Sequence, residues 1–295
     1  MKICSSVLWH LSLTDGVGPA TAIRLLKSVC GLLLADLAEA SQFKLDLISK
    51  IFSFSAHDFV MRCGLSQRAA EACVRGLADA SLLHSEGELA LRHGVHVVTL
   101  ADAEYPQLLR NIHRPPIVLY IKGAKLKETP SIAVVGTRRA NHYARRALEL
   151  VVPELAASGW SVVSGGAVGV DTVAHELAIE CRGHTAVVLG SGLLRPYPST
   201  NKKLFESVVA SGGSVVSPFP LEAPPEKGNF PARNRVVAGL AKSCLVVQAP
   251  GRSGALITAS YALAENRDVY AVPGAVDDVL SQGCHDLIRQ GAMPV

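Results

Sequence analysis

Three glycine-bearing runs stand where an apolar run gives way to a helical one, and each is built to meet an anion. Gly136-Thr137-Arg138 follows Ser131–Val135. Its small residues let backbone amides approach a phosphate, and Arg138 adds a guanidinium suited to bidentate binding. Ser164-Gly165-Gly166-Ala167-Val168-Gly169-Val170-Asp171 has the makings of an anion-binding nest at a helix start. Ser253-Gly254 opens a third such helix in Ser253-Gly254-Ala255-Leu256-Ile257-Thr258. Cations stand nearby. Ser199 is predicted to cap a helix and so to put Lys202 and Lys203 in its first turn. Cations oppose the helix dipole there, which favours a ligand-facing role. Phe230-Pro231-Ala232-Arg233-Asn234-Arg235 packs an aromatic, two arginines and an amide into one short run. On a helix Arg233 and Arg235 point to different sides, so one is expected to meet a ligand and the other to hold the fold through a carboxylate.

Other chemistries find less support. Gly136-Thr137-Arg138 is not the G-x-G-x-x-G fingerprint, and no acidic ribose-binding residue stands about twenty residues on, which argues against a nicotinamide cofactor. Asp171 and His175 share one helical face. The favoured reading is structural, with Asp171 charging the first turn and His175 bonded to it; a polar pair lining a site is the alternative. No paired carboxylates, metal-ligand cluster or nucleophile–base pair is found, so no catalytic residue, metal or cofactor is assigned. The seven cysteines lack any Cys-x-x-Cys pair, which suits buried, reduced thiols in a cytosol.

These residues need a scaffold. From Ser131 to Ala292 the chain repeats one unit: a short apolar strand, a glycine-containing turn, then a helix. Strands apolar on both faces and spaced by helices predict a doubly wound, mainly parallel sheet of extended Rossmann-like α/β type. In such sheets ligands bind at the carboxyl ends of the strands, where the glycines and arginines fall. Ala144, Ala147, Leu148, Val151, Val152 and Leu155 recur at three and four, as one buried helical face demands, and Gly159 ends that helix.

Residues 1–85 read as a small all-α domain of helix-hairpin-helix (SAM-like) form. Gly16 and Gly18 allow a tight turn, Pro19 suits the first helical position, and Ala22, Leu25 and Leu26 supply the apolar face. A fainter copy follows at Cys63–Ala70 with Ser66 as cap. Such a hairpin either holds a DNA phosphate or only packs two helices, and both readings stay open. Residues 86–130 read as a connector whose strands pack on the next domain, with Lys122 to Pro130 a surface hinge. Residues 131–295 form the Rossmann-like domain.

Composition sets bounds. The chain has 295 residues, 49% hydrophobic and 18% charged, enough for two domains with a full core. At 5%, aromatics are too few for a surface built mainly on base stacking. Net charge is +4, so position says more than the sum: the arginines and lysines of the sheet domain fall after strands, making one rim positive. No apolar run is long enough to cross a bilayer, and no signal peptide is read, so a cytoplasmic protein without membrane association is expected.

Taken in order, the motifs resemble the DNA-processing protein A family (DprA, also called Smf). They are Val135-Gly136-Thr137-Arg138, Ser164-Gly165-Gly166-Ala167 through Asp171 and His175, and Leu189-Gly190-Ser191-Gly192. Tyr197-Pro198 with Asn201, Phe230 to Arg235, Ser253 to Thr258 and Val272-Pro273-Gly274 complete them. The resemblance covers roughly residues 95 to 292. It implies a non-catalytic protein that binds single-stranded DNA, protects incoming strands and loads the recombinase RecA during natural transformation, acting as a homodimer. It implies that Arg138, Lys202 and Lys203 contact DNA phosphates, with Arg233 and Arg235 at or behind that surface. Together with Asn234 and the three glycine runs, these residues are the expected DNA-binding set. Binding is expected to be sequence-blind and salt-sensitive. Two positions depart from the family's usual pattern: Ser217-Pro218-Phe219-Pro220 and Val246-Val247-Gln248-Ala249 each lack a carboxylate, expected to bear on how Arg233 or Arg235 is held. The winged-helix domain of many members is expected to be absent. An enzymatic reading, by likeness to nucleotide phosphoribohydrolases, lacks their glycine loop and nearby acid. A small-nucleotide sensor is the third class considered.

Overall fold

The computed structural model describes residues 3–32, 44, 47–126 and 129–295. The chain divides into two compact units: Met1–Tyr120 with Pro218–Leu221, and Ile121–Ser217 with Glu222–Val295.

In the first unit, α1 (Ile3–Leu13) and α2 (Pro19–Cys30) flank a turn in which Gly16 takes φ +78°. Pro19 opens α2, where its missing N–H costs nothing, and left-handed Gly31 closes it. Ala22, Leu25 and Leu26 are buried, as their spacing requires. A 3₁₀ turn (Leu47–Ser53) leads to α3 (Ala56–Cys63) and α4 (Gln67–Ala78). Ser55 and Asp58 form a reciprocal capping box on α3, and Ser66 caps α4. Then come α5 (Ser81–Arg92), β1 (His96–Thr99), the short α6 (Gln107–Arg110) and the start of β2 (Val118–Gly123). The unit boundary falls inside β2, so the segment read as a connector lies largely with the helices. Side chains explain this: the Trp9 indole donates to the Tyr120 hydroxyl at 2.8 Å, and Ser5 donates to the Asp102 carboxylate at 2.6 Å. Of the expected hinge, residues 127 and 128 lie outside the described residues. Ala124, within it, is tied down by its amide to the Gly213 carbonyl and by its carbonyl to the Ser214 hydroxyl.

The second unit begins with β3 (Ser131–Val135), α7 (His142–Ala157), β4 (Ser161–Ser164), α8 (Val170–Glu180) and β5 (Thr185–Val188). It continues with α9 (Lys202–Ala210), β6 (Ser214–Ser217), α10 (Asn229–Gly239), β7 (Ser243–Val246), α11 (Gly254–Ala264), β8 (Asp268–Ala271), α12 (Gln282–Arg289) and β9 (Met293–Pro294). Within the unit the strands lie in the order β6-β5-β4-β3-β7-β8-β9, all paired parallel. The chain winds outward from β3 to β6, then returns to β3's other side with β7. This is the doubly wound Rossmann-like sheet expected, and β3/β7 is its switch point, where the loops diverge and leave a crevice. Ile132, Val134, Leu148, Val152, Val162, Val170, Leu177 and Leu245 form one buried cluster, with Val151, Leu155 and Trp160 packed against it. Burial on both faces is why these strands show no alternation. Six cysteines are buried and only Cys181, just past α8, is exposed. No described helix is long and apolar enough to cross a membrane.

Candidate nucleic-acid interface

A cavity of about 320 Å³ opens beyond the carboxyl ends of β3, β4 and β7. Gly136, Thr137, Arg138, Gly165, Arg233, Asn234, Ser253 and Gly254 line it, so loops far apart in sequence converge as expected. Asp171, Phe230 and Arg252 line it too. Packing dictates the first turn. A Cβ on Gly136 would press on Val170 and the Gln248 carbonyl, and Gly169 (φ +90°) lies directly against Thr137. Thr137 is buried; its amide donates to the Gln248 carbonyl at 2.6 Å and its hydroxyl accepts from the Arg139 amide at 3.1 Å. These two amides serve the fold, which leaves the Arg138 side chain, exposed at the mouth, as the loop's cationic arm.

The second glycine run corrects its expectation. The nest at Ser164–Ala167 is already occupied by the chain's own Asp171 carboxyl. The Ala167 amide donates to that carboxyl at 3.2 Å, and a Gly165 backbone hydrogen bond adds to it. The Ser164 hydroxyl is buried and donates to the Val134 carbonyl at 2.6 Å. The Gly166 carbonyl accepts from the Asn201 amide at 3.0 Å. Ser164 and Gly166 therefore shape the site from behind. Burial pushes the Asp171 carboxyl up from its ordinary value, against the pull of the nearby Arg233 and those hydrogen bonds. His175 does not bond to Asp171. Its Nδ1 meets the Thr185 hydroxyl at 2.7 Å, and that hydroxyl donates onward to the Val162 carbonyl. The threonine proton being committed, His175 carries its own on Nδ1 and leaves Nε2 buried without a partner. Burial, with a smaller push from Arg233, lowers its pKa to about 3.

Arg233 and Arg235 diverge on α10, as the helical period requires. Arg233 is buried and donates to the carbonyls of Gly165 and Val188, the latter at 2.6 Å, while its Nε donates to Asn234 Oδ1 at 2.9 Å. Backbone carbonyls, not a carboxylate bond, hold it in place. Burial lowers its pKa to about 10, Asp171 opposing and Arg138 adding to the shift, so it remains a cation at neutral pH. The Arg235 guanidinium lies 4.8 Å from the Tyr261 ring centre. The Gln248 side chain hydrogen-bonds to neither arginine. Buried, it accepts from the Asn141 amide at 3.4 Å and donates to the Asp278 carboxylate at 3.1 Å.

Phe230 is the part the sequence set omitted. Arg138 and Arg233 lie 5.9 and 6.0 Å from its ring centre, and Tyr197 meets it edge-on at 5.7 Å. A Cβ on Gly190 would strike that ring, so the glycine after β5 exists to seat it. The signal was present: an aromatic heads the Phe230–Arg235 run, at the start of α10. Ser253 caps α11 by accepting from the Ala255 amide at 3.2 Å, and Asn234 donates to the Gly254 carbonyl at 3.2 Å. The positive end of the α11 dipole thus borders the cavity. Ser199 does not cap α9; it opens a 3₁₀ turn, and Lys202 and Lys203 begin the helix after it. Neither lysine lines the arginine cavity. Lys202 borders a separate one, and Lys203 is exposed.

Residues 96–295 match the family model described as DNA recombination-mediator protein A. The Smf protein of Synechocystis is 42% identical over 200 residues, 66% of this chain and 50% of that protein. The chain thus spans half the length of that relative. The DNA processing protein DprA of Bacillus subtilis is 36% identical over 204 residues, 68% of each chain. Among solved structures, DprA from Streptococcus pneumoniae aligns at a TM-score of 0.75 with 33% identity, covering 93% of this chain and 94% of that one. DprA from Helicobacter pylori, solved for its single-stranded DNA binding mode, aligns at 0.61 with 32% identity, covering 68% and 90%.

Proposed function

Because this chain belongs to the DNA recombination-mediator protein A family, we propose that its arginine-rimmed crevice binds the backbone of single-stranded DNA. The observation that carries this is the pairing of two arginines on one aromatic ring. Arg138 stands exposed at the mouth, while Arg233 is fixed behind it by backbone carbonyls, both beside Phe230. A buried cation keeps the floor positive, and the exposed one offers a guanidinium fork to a phosphate. Phe230 gives an adjacent base a surface that any sequence can use. The α11 start and Arg252 supply further positive potential. The contact set is accordingly Arg138, Phe230, Asn234, Arg252, Ser253 and Gly254, positioned by Arg233, Gly136, Thr137 and Gly165.

The protein acts without catalysis, as a cytoplasmic homodimer that shields the strand and delivers it to RecA recombinase. Two crevices on one dimer raise avidity through effective concentration. Fluorescence anisotropy tests the binding step, with a labelled single strand and its duplex at low and moderate salt. Strand-selective binding should weaken with salt, and Arg138→Ala should reduce affinity for all sequences alike. The slope of log affinity on log salt should flatten by about 0.7 for one lost phosphate contact. Unchanged binding by Arg138→Ala would remove that residue from the interface. RecA filament assembly on a strand coated with single-strand binding protein, with and without the chain, tests delivery.

A further inference from the structure

A second cavity, of about 690 Å³, lies beside the first in the same unit. Its walls are apolar: Leu189, Leu193, Phe205, Val209 and Val215 among others. Lys122, Arg195 and Lys202 border it against the single carboxylate of Glu206. The two cavities are linked. A small recess of about 50 Å³ bridges them, sharing Arg138, Phe230 and Arg233 with the arginine crevice and Tyr197 with the apolar cavity. Tyr197 is 41% exposed, meets Phe230 at a steep angle, and lines both the recess and the apolar cavity. Gly166 fits the same plan: a Cβ there would strike Phe205, so the nest glycine lets the wall of the apolar cavity close in.

We propose that the apolar cavity is a base-binding subsite of the same strand track, taking an unstacked nucleobase of single-stranded DNA while Lys122, Arg195 and Lys202 hold the flanking phosphates. This rests on the DNA-binding reading of the arginine crevice. Three observations select this occupant. The opening is cationic, which suits a polyanion and disfavours a basic or neutral peptide. The interior is apolar, which suits the face of an unpaired base and is useless to a duplex whose bases are stacked. The lining is continuous with the crevice through Tyr197, so a strand leaving Phe230 passes Tyr197 and meets this cavity next. The volume lies within the roughly 300–1,000 Å³ typical of pockets that enclose an organic ligand. It also gives Lys202, which the arginine crevice does not use, a place on the track.

The test compares two labelled oligomers of equal length on the full chain: an oligothymidylate, and one in which every nucleotide is abasic. Ala210→Trp and, independently, Leu194→Trp each add an indole to the cavity lining. Each should lower affinity for oligothymidylate by roughly fivefold or more, the loss expected for one base contact, and leave the abasic oligomer's affinity unchanged. A 2-aminopurine strand supplies an optical readout: its emission should change on binding to wild type, and the change should be smaller in a filled variant. Equal losses on both oligomers, or none on either while Arg138→Ala still weakens both, would exclude the cavity and leave the arginine crevice standing. Failure of wild type to bind either oligomer would sink the parent reading and the subsite with it.

Discussion

Replacing Arg233 by methionine should unfold the sheet unit more readily than any change at the cavity mouth. Methionine keeps an unbranched apolar stem but offers no donor. The Gly165 and Val188 carbonyls then lose their partner inside the protein, at about 1–3 kcal/mol for each buried group left unpaired. Asp171 loses its neighbouring cation while remaining buried, which makes its charged form harder to keep. These costs overlap, because Asp171 escapes part of its share by taking up a proton. We therefore expect a total of about 3–5 kcal/mol at neutral pH, a large part of the 5–15 kcal/mol that domains usually have. The sign with pH follows. Asp171 already has a raised pKa, and loss of Arg233 raises it further. The folded variant then binds a proton that the unfolded chain releases, so its deficit should shrink as pH falls toward 5. Urea unfolding followed by Trp160 fluorescence measures this, in a Trp9→Phe background so that only the sheet unit reports. Arg138→Ala in the same assay should stay within about 0.5 kcal/mol of wild type, being a surface change. An unchanged urea midpoint for Arg233→Met, or an equal loss from Arg138→Ala, would refute the division between a positioning arginine and a contacting one.

His175 should make the sheet unit acid-sensitive. Its folded pKa of about 3 lies below the ordinary 6.5, so its contribution is complete above pH 6.5 and is lost at about 1.4 kcal/mol per unit as pH falls from there toward 3. His175→Gln should show a shallower decline over that window; parallel curves would remove His175 as the cause. Gly169→Ala should cost at least about 2 kcal/mol, since φ is +90° and the new Cβ meets Thr137, and should weaken strand binding by displacing Arg138. A stable, fully binding variant would contradict that coupling. Gln248→Glu should cost about 1–2 kcal/mol at neutral pH by facing Asp278 with a like charge. Adding Asp278→Asn should recover most of the loss, as a double-mutant cycle would measure.

Much of this architecture is written in local pattern. Strands such as Ala133-Val134-Val135 are apolar at successive positions because both faces are covered, and α7 shows its buried face at three and four. Pro19 and Ser66 mark helix starts through chemistry that acts within three residues. What the sequence could not convey is which donor meets which acceptor across the sheet. Ser164-Gly165-Gly166 reads as an open nest because glycine and serine make one, yet Asp171 fills it from the following helix. Arg233 reads as a partner for a carboxylate, yet it is held by carbonyls from the ends of two other strands. Lys202 reads as part of the arginine site because it follows the same rim, but the 3₁₀ turn before α9 delivers it to a different cavity. The unit boundary in β2 depends on Trp9 and Ser5, about a hundred residues earlier, and no neighbouring residue signals it.

The distribution of thiols gives the chain a built-in chemical handle. Burial raises the pKa of Cys30, Cys73 and Cys284 to about 11 and that of Cys244 to about 12, so these sulfurs stay protonated and shielded from electrophiles. Cys181 alone is exposed, directly after α8, whose opposite end carries Asp171 into the crevice. Eleven helical residues separate the two ends by about 16 Å. A maleimide dye should therefore attach at one place on a rigid rod that points at the crevice, close enough to report an arriving strand and too far to block it. The same exposure has a cost in handling. Exposure leaves Cys181 open to oxidation, so any dimer must be weighed under reducing conditions before it is counted as an assembly of the folded protein.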